Sequence, residues 1–110
     1  MRRGELYRVR RPPGETKPAR SFVIVSRQAL IESNFSTVVC APIFSERHGL
    51  STQVNVGIAE GLKHDSTVQC DALMSIEKSR LTDYVGELND ERQAEVDRAL
   101  LVALALPTSR

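Results

Sequence analysis

Arg20 is the residue in this chain whose type and position best suit chemistry on a phosphate group. A guanidinium is a planar fork that binds two phosphate oxygens at once and stays charged at physiological pH. Arg20 ends a polar segment, residues 15–20, and precedes a continuous apolar run at residues 22–25. Because such a run is typical of a buried central strand, it would give Arg20 a rigid support. Arg20 is therefore the best candidate for an anion-binding site, and the alternative, a solvated surface arginine, stays open at this point.

Residues 44–48 bring together other side chains with useful chemistry. Ser45 is suited either to donating a hydrogen bond to a phosphate oxygen or to capping its own turn. His48 is either an acid or base near neutral pH or a solvated loop residue. Phe44 is either part of the core or a stacking partner for an unstacked base. His64, beside Lys63, is a weaker candidate than His48 for the role of acid or base.

The charge distribution is uneven along the chain. Residues 1–27 hold eight basic and two acidic side chains, a net charge of +6, which leaves −5 for the rest of a chain whose total is +1. This pattern fits a local phosphate site and equally a solvated surface. Lys17, Arg27 and Arg47 are candidate contacts to a nucleic-acid backbone. Glu15 and Asp71 are candidate acceptors for base edges or for orienting Arg20.

Size and composition narrow the class of protein. The 110 residues, 41% of them apolar, fit one domain with a single core. We find no apolar stretch of the roughly 20 residues that a membrane span needs, and the N-terminus lacks the apolar run of a secretory signal. We therefore expect a cytoplasmic protein. Cys40 and Cys70 lie in apolar runs without metal-ligand spacing, so we expect two buried thiols, and no metal or cofactor.

The residue periodicities predict many short strands followed by one helix. The expected strands cover residues 5–9, 22–25, 37–41, 52–56, 67–71, 74–77 and 85–88, with a helical turn within 28–33. Pro42 is expected to end the third strand, before a polar loop at residues 43–50. Asn89 is expected to cap a helix that ends at Pro107 and carries an apolar stripe at Val96, Ala99, Leu100, Ala103 and Leu104. We predict a mainly β fold, a small curved sheet or barrel, with a C-terminal helix.

Four segments, in order, resemble the MazF/PemK family of toxin endoribonucleases. They are residues 3–7 (Arg-Gly-Glu-Leu-Tyr), residues 14–26 (the loop Gly-Glu-Thr-Lys-Pro-Ala-Arg-Ser and the strand after it), residues 38–43 (Val-Val-Cys-Ala-Pro-Ile), and residues 61–88, which include Ser-Thr-Val-Gln-Cys-Asp and Val-Gly-Glu-Leu. The family shows a similar Gly/Glu loop, a Lys-x-Arg-Pro motif and an apolar strand ending in Ser. The resemblance covers residues 3–106. No single segment is distinctive, but the order and spacing of the four segments together are.

The resemblance implies one domain over residues 1–110, an SH3-like barrel of the MazF/PemK/CcdB type, and a homodimer. It also implies metal-independent cleavage of single-stranded RNA at short motifs, and an antitoxin protein that occupies the same groove. In some family members an Asp that follows Cys is proposed as the base, and Asp71 matches that position. Together with the reasoning above, the expected catalytic residues are Arg20, Ser45, Asp71 and His48, and the expected RNA contacts are Glu15, Lys17, Ser21, Phe44, Arg47 and Gln69.

Three positions depart from the family pattern. Ser21 stands where the family usually has Pro, Phe44 where it usually has a catalytic-site Thr, and Gln69 where some members carry a second Arg. Two other functions therefore stay open at this point. One is a module on the same fold that binds RNA or an antitoxin without cutting. The other is a CcdB-like gyrase inhibitor acting through its C-terminal helix, against which the segment at residues 14–20 argues.

Overall fold

A computed structural model describes residues 1–10, 14 and 19–107 of the chain. Within them, the expected succession of short strands and one long helix is confirmed. The elements are β1 (Glu5–Val9), β2 (Arg20–Ile24), α1 (Gln28–Ile31), β3 (Thr37–Phe44), β4 (Gln53–Val56), β5 (Ser66–Gln69), β6 (Met74–Glu77), β7 (Asp83–Glu87) and α2 (Asp90–Ala103). Short 3-10 turns occupy Ile58–Glu60, Cys70–Ala72 and Lys78–Arg80.

The strands form one antiparallel sheet in the order β4-β5-β3-β2-β1-β7, with β6 also paired to β3. β3 organises this sheet because it changes partners along its length. On one side it pairs with β6 through Thr37–Cys40 and then with β5 through Ile43 and Phe44, while β2 lies on its other side. The sheet therefore curls into an antiparallel half-barrel, which confirms the small-barrel expectation.

The prediction that Pro42 ends the third strand is wrong, because β3 continues to Phe44. Pro42 lies opposite Phe22 of β2, between the stretch of β3 that pairs with β6 and the stretch that pairs with β5. On the edge of β3 that faces β6 and β5, residue 42 has no strand partner. The N–H that proline lacks would point to this edge, so its absence removes no ladder hydrogen bond. The extension matters for function because it places Phe44 on a strand and not in a loop.

Apolar side chains fill both faces of the central strands, as expected for continuous apolar runs. One cluster lies between the sheet and α2 and includes Leu6, Val23, Val68, Val96 and Ala99. A second cluster lies on the opposite face and includes Val9, Phe22, Ile24, Cys40, Ile76 and Leu81. The two clusters hold β2 and β3 rigidly from both sides.

The expectation of two buried thiols is also confirmed. Cys40 and Cys70 are free and buried, one in each apolar cluster. Burial raises the pKa of Cys40 to about 12. The pKa of Cys70 rises to about 11, first through burial and then through the nearby Asp71 carboxylate.

Helix α2 begins where its sequence signals predict. The Asn89 side chain accepts a hydrogen bond from the Arg92 amide at 2.8 Å, and Asp90 and Glu91 occupy the first turn. Val96 and Ala99 are buried against the sheet as predicted, but Leu104 is 53% exposed, and the helix ends at Ala103, before the expected end at Pro107. In the described part of the chain, the helices are too short or too polar to cross a membrane.

Candidate functional site

Arg20 and Phe44 form a stacked pair at the ends of two neighbouring strands. The register pairs Phe22 with Pro42, so Arg20, the first residue of β2, lies opposite Phe44, the last residue of β3. The guanidinium carbon of Arg20 is 3.9 Å from the centroid of the Phe44 ring. This contact is a cation–π interaction that uses the flat face of the guanidinium. The N–H donors lie in the guanidinium plane, so stacking orients the edge that binds oxyanions.

One further contact fixes the orientation of Arg20. Its Nη1 donates a long hydrogen bond of 3.4 Å to the carbonyl oxygen of Ile43, the neighbour of Phe44. Arg20 is partly buried, whereas Ser45 just beyond β3 is exposed. The sequence offered Phe44 as a core residue or as a stacking partner for a base. The structure places it half-buried, with its ring against Arg20.

Two grooves lie on either side of this stacked pair. The first, here called the apolar groove, has a volume of about 360 Å³ and is lined by Val9, Arg20, Phe22, Pro42, Phe44, Ala72, Met74, Ser75, Ile76 and Arg80. The second, here called the polar groove, has a volume of about 260 Å³ and is lined by Arg8, Ala19, Arg20, Ser21, Ile43, Phe44, Ser45, Gly61, Leu62, Lys63, His64 and Ser66. Neighbouring residues of one strand line opposite grooves because side chains alternate between the faces of a sheet.

The polar groove brings together part of the predicted site. Arg20, Ser21, Phe44 and Ser45 all line it. His64, the weaker of the two histidine candidates, lies there as well. His48 does not line either groove: its amide donates to Gln53 Oε1 at 2.9 Å, and its Nε2 lies 3.7 Å from the Glu46 carboxylate.

Asp71 and Gln69 take part in hydrogen bonds outside the two grooves. Asp71 Oδ2 accepts from the Thr52 hydroxyl at 2.6 Å. Gln69 Oε1 accepts from Gln53 Nε2 at 3.1 Å, and Gln69 Nε2 lies 2.6 Å from the Thr67 hydroxyl. These contacts join β4 to β5 and order the polar side chains at that edge of the sheet.

Arg47 holds a turn in place. Its guanidinium donates to the carbonyl oxygens of Ser66 at 3.3 Å and Val56 at 3.1 Å, and it lies 3.9 Å from the Asp65 carboxylate. These contacts fasten the segment after β3 to β4 and β5. Glu15 and Lys17, two of the predicted RNA contacts, lie outside the described residues.

Sequence reasoning missed Arg8 and Lys63, which line the polar groove beside Arg20. Arg8 belongs to β1 and Lys63 to the loop between β4 and β5, so neither is near Arg20 in the chain. Glycines at positions 57 and 61, on either side of a short turn, were a local signal that this loop is tightly packed.

Within residues 1–10, 14 and 19–107, no group of three or more His, Cys, Asp and Glu side chains is placed to hold a metal ion.

Comparison with known proteins agrees with this architecture. A family model described as a PemK-like, MazF-like toxin of type II toxin–antitoxin systems matches residues 2–104. The endoribonuclease EndoA of Bacillus subtilis is 30% identical over 113 residues, which covers 96% of each chain. The endoribonuclease MazF6 of Mycobacterium tuberculosis is 32% identical over 100 residues, or 86% of this chain and 88% of the relative.

Solved structures give the same result. A mycobacterial endoribonuclease in complex with its cognate antitoxin superposes with a TM-score of 0.83 at 28% identity, covering 99% of both chains. The Mycobacterium tuberculosis toxin MazF-mt6 superposes with a TM-score of 0.81 at 25% identity, covering 94% of this chain and 99% of that one. This chain therefore belongs to the family of PemK-like and MazF-like toxins of type II toxin–antitoxin systems.

Proposed function

We propose that this toxin is an endoribonuclease that cleaves single-stranded RNA, with Arg20 binding the phosphate at which the chain is cut. The observation that carries the proposal is the Arg20–Phe44 pair, 3.9 Å apart, at the junction of the two grooves. Stacking on Phe44 holds the flat face of the guanidinium and leaves its N–H edge pointing outward. The guanidinium is therefore preorganised to bind the negative charge on phosphate oxygens. The family relationship to two endoribonucleases supports the same activity.

The reaction that these side chains favour uses the RNA's own 2′-hydroxyl. Its oxygen attacks the adjacent phosphorus, the bond from phosphorus to the 5′-oxygen breaks, and the products are a 2′,3′-cyclic phosphate and a 5′-hydroxyl. Arg20 stabilises the negative charge that develops on the phosphoryl oxygens. The exposed Ser45 hydroxyl lines the same groove and is able to donate to one of those oxygens.

The reaction also needs a group that takes the 2′-proton and one that protonates the leaving oxygen. Asp71 and His48 were the candidates from sequence, and neither lines a groove with Arg20. His64 lies in the polar groove with Arg20 and Ser45. We therefore favour His64 over His48 and Asp71 as the group that exchanges a proton with RNA.

Cleavage of a long single-stranded RNA in the presence of EDTA tests this proposal. Replacing Arg20 with Ala should lower the cleavage rate by about a hundredfold or more, the typical effect of removing one donor to a developing oxyanion. Arg98→Ala, which removes the same charge from an exposed position on α2, should cut at the parental rate. The upstream fragments should end in a 2′,3′-cyclic phosphate, and sequencing the cleavage ends gives the preferred short motif. An Arg20→Ala protein as active as the parent would remove Arg20 from the mechanism.

A second candidate function is binding of RNA without cleavage. Phe44 favours it, because its side chain has no hydroxyl that could donate to a phosphate oxygen, at the position where the resemblance to the family implies a catalytic-site Thr. The same assay separates the two functions. RNA that shifts in a gel but stays intact at high protein concentration identifies a binding module.

We also propose an antitoxin partner and a homodimer. The antitoxin is supported by the related mycobacterial endoribonuclease, whose structure contains its cognate antitoxin. The homodimer is supported by the apolar groove, where Val9, Phe22, Pro42 and Ile76 surround a Met74 that is 48% exposed. An exposed apolar surface of this kind is typical of a protein–protein contact, and a second copy of the chain would cover it.

A further inference from the structure

The polar groove carries basic side chains from three separate elements. Arg8 comes from β1, Arg20 from β2 and Lys63 from the loop between β4 and β5, with the His64 imidazole next to Lys63. Among the described residues that line the groove, which exclude 15–18, none is Asp or Glu. Asp65 follows directly in the loop, and its carboxylate lies 3.9 Å from Arg47. The groove is therefore a concave surface of positive charge, which attracts anions.

A buried carboxylate fixes the start of the loop that carries Lys63. Glu60 is only 3% exposed, and its Oε1 accepts a hydrogen bond from the Gly57 amide at 2.6 Å. Its Oε2 lies 3.7 Å from Arg92 Nε on α2. Glu60 thus ties the turn before Lys63 both to its own backbone and to the helix.

Close backbone packing fixes the next residues of this loop. Gly61 has a φ of +96°, and a Cβ at this position would overlap the carbonyl oxygen of Val85 in β7. The Leu62 amide donates to the Gly57 carbonyl at 3.1 Å, and the Ser66 hydroxyl donates to the His64 carbonyl at 3.1 Å. Lys63 therefore projects from a preformed backbone, so binding a ligand requires little further ordering of the loop.

We propose that the polar groove binds a second phosphate of the RNA, next to the one that is cut, with Lys63 and Arg8 as its cationic contacts. This inference rests on the function proposed for Arg20, because that residue lines the groove and would hold the adjoining phosphate. The continuity with Arg20 favours an RNA backbone over an acidic peptide as the occupant. Lysine and arginine contacts to phosphate carry no base information, so this subsite adds affinity regardless of sequence.

Binding of an oligonucleotide with deoxyribose at the cleavage site tests the subsite without turnover. At moderate salt, Lys63→Ala and Arg8→Ala should each weaken binding about three- to tenfold. For a single strand, the slope of log affinity against log salt should fall by about 0.7 for each phosphate that the variant no longer neutralises. Arg98→Ala is the matched control for charge and should leave both quantities at parental values. Unchanged melting temperatures would show that the variants are folded.

Shortening the oligonucleotide one nucleotide at a time from each end locates the subsite. The loss of affinity caused by Lys63→Ala should disappear once the nucleotide that fills the groove has been removed. This should happen when the oligonucleotide is shortened from one end and not from the other. A penalty that persists at every length, or parental affinity and salt slope in both variants, would overturn the inference. If Arg20→Ala impairs binding or cleavage while Lys63→Ala does not, the subsite alone is wrong. A parent protein that neither binds nor cuts RNA would remove the subsite and the proposed function together.

Discussion

At the scale of single residues, the central feature is that Phe44 supports Arg20. Cation–π contacts contribute about 0.5–1 kcal/mol at exposed sites and about 2 kcal/mol when desolvated. Arg20 is partly buried, so the contact is strong enough to restrict its rotamers. In the proposed mechanism, the orientation of Arg20 therefore depends on an aromatic ring at residue 44.

We predict that Phe44→Leu lowers the efficiency of RNA cleavage by about three- to thirtyfold, which corresponds to about 0.7–2 kcal/mol. Leucine keeps the apolar bulk of the side chain but removes the ring that orients Arg20. Phe44→Tyr keeps the ring and should retain most of the activity. Steady-state rates on one fluorescent oligonucleotide would measure both variants. Equal activity of the Leu and Tyr proteins would show that the ring has no role in positioning Arg20.

At the scale of elements, the site depends on two segments that lie far apart in the chain. The extension of β3 through Pro42 brings Phe44 opposite Arg20. The loop between β4 and β5 brings Lys63 and His64 to the same place, because its turn packs directly on β7. The positions of these side chains therefore depend on contacts between backbones as well as on local sequence.

We predict that Gly61→Ala destabilises the protein more than Gly49→Ala. Both glycines have positive φ, which costs an L-residue about 1–2 kcal/mol, but only at residue 61 would the new Cβ overlap another strand. At residue 49, apart from its two chain neighbours, no atom of the described residues lies within 4 Å of an added Cβ. Urea unfolding should therefore show a free energy of unfolding that is about 1 kcal/mol lower for Gly49→Ala, and lower by at least twice that for Gly61→Ala. Similar decreases in the two variants would contradict the close packing of the loop against β7.

At the scale of the whole molecule, the two grooves divide the surface around Arg20 by polarity. The polar groove suits a charged strand of RNA, and the apolar groove leaves Met74 about half exposed to solvent in a single chain. In the proposed homodimer the apolar groove is covered by the second copy. Each protomer would then hold Arg20 at the margin of the contact, where the polar groove stays open.

We predict that Met74→Glu converts the dimer to a monomer, because it places a charge in an apolar contact that cannot solvate it. Light scattering at micromolar concentration should give about twice the 12.2 kDa chain mass for the parent and the single-chain mass for the variant. Val102→Glu, at a position on α2 that is 53% exposed and lines neither groove, should stay dimeric. A monomeric parent would refute the dimer, and a dimeric Met74→Glu protein would place its interface elsewhere.

Local sequence determined much of the fold. Alternation and apolar runs located the strands to within a few residues, and the Asn89 cap and the following stripe located α2. Composition and spacing predicted the two buried thiols correctly. These features depend on side-chain period and on capping, which act over a few neighbouring residues. The end of the third strand was missed, because whether Pro42 is tolerated depends on which strands pair beside it.

For the candidate site, sequence alone predicted that Arg20 lies next to one buried strand and that Phe44 and Ser45 lie soon after another. It put Phe44 in a loop, whereas Phe44 is the last residue of β3. Only the tertiary structure decided which side chains share a groove with Arg20. Strand pairing stacked Phe44 on the guanidinium, and the packing of Gly61 on β7 brought Lys63 and His64 beside it, while His48 and Asp71 line neither groove. Such neighbours are separated by dozens of residues along the chain, and register and backbone approach bring them together.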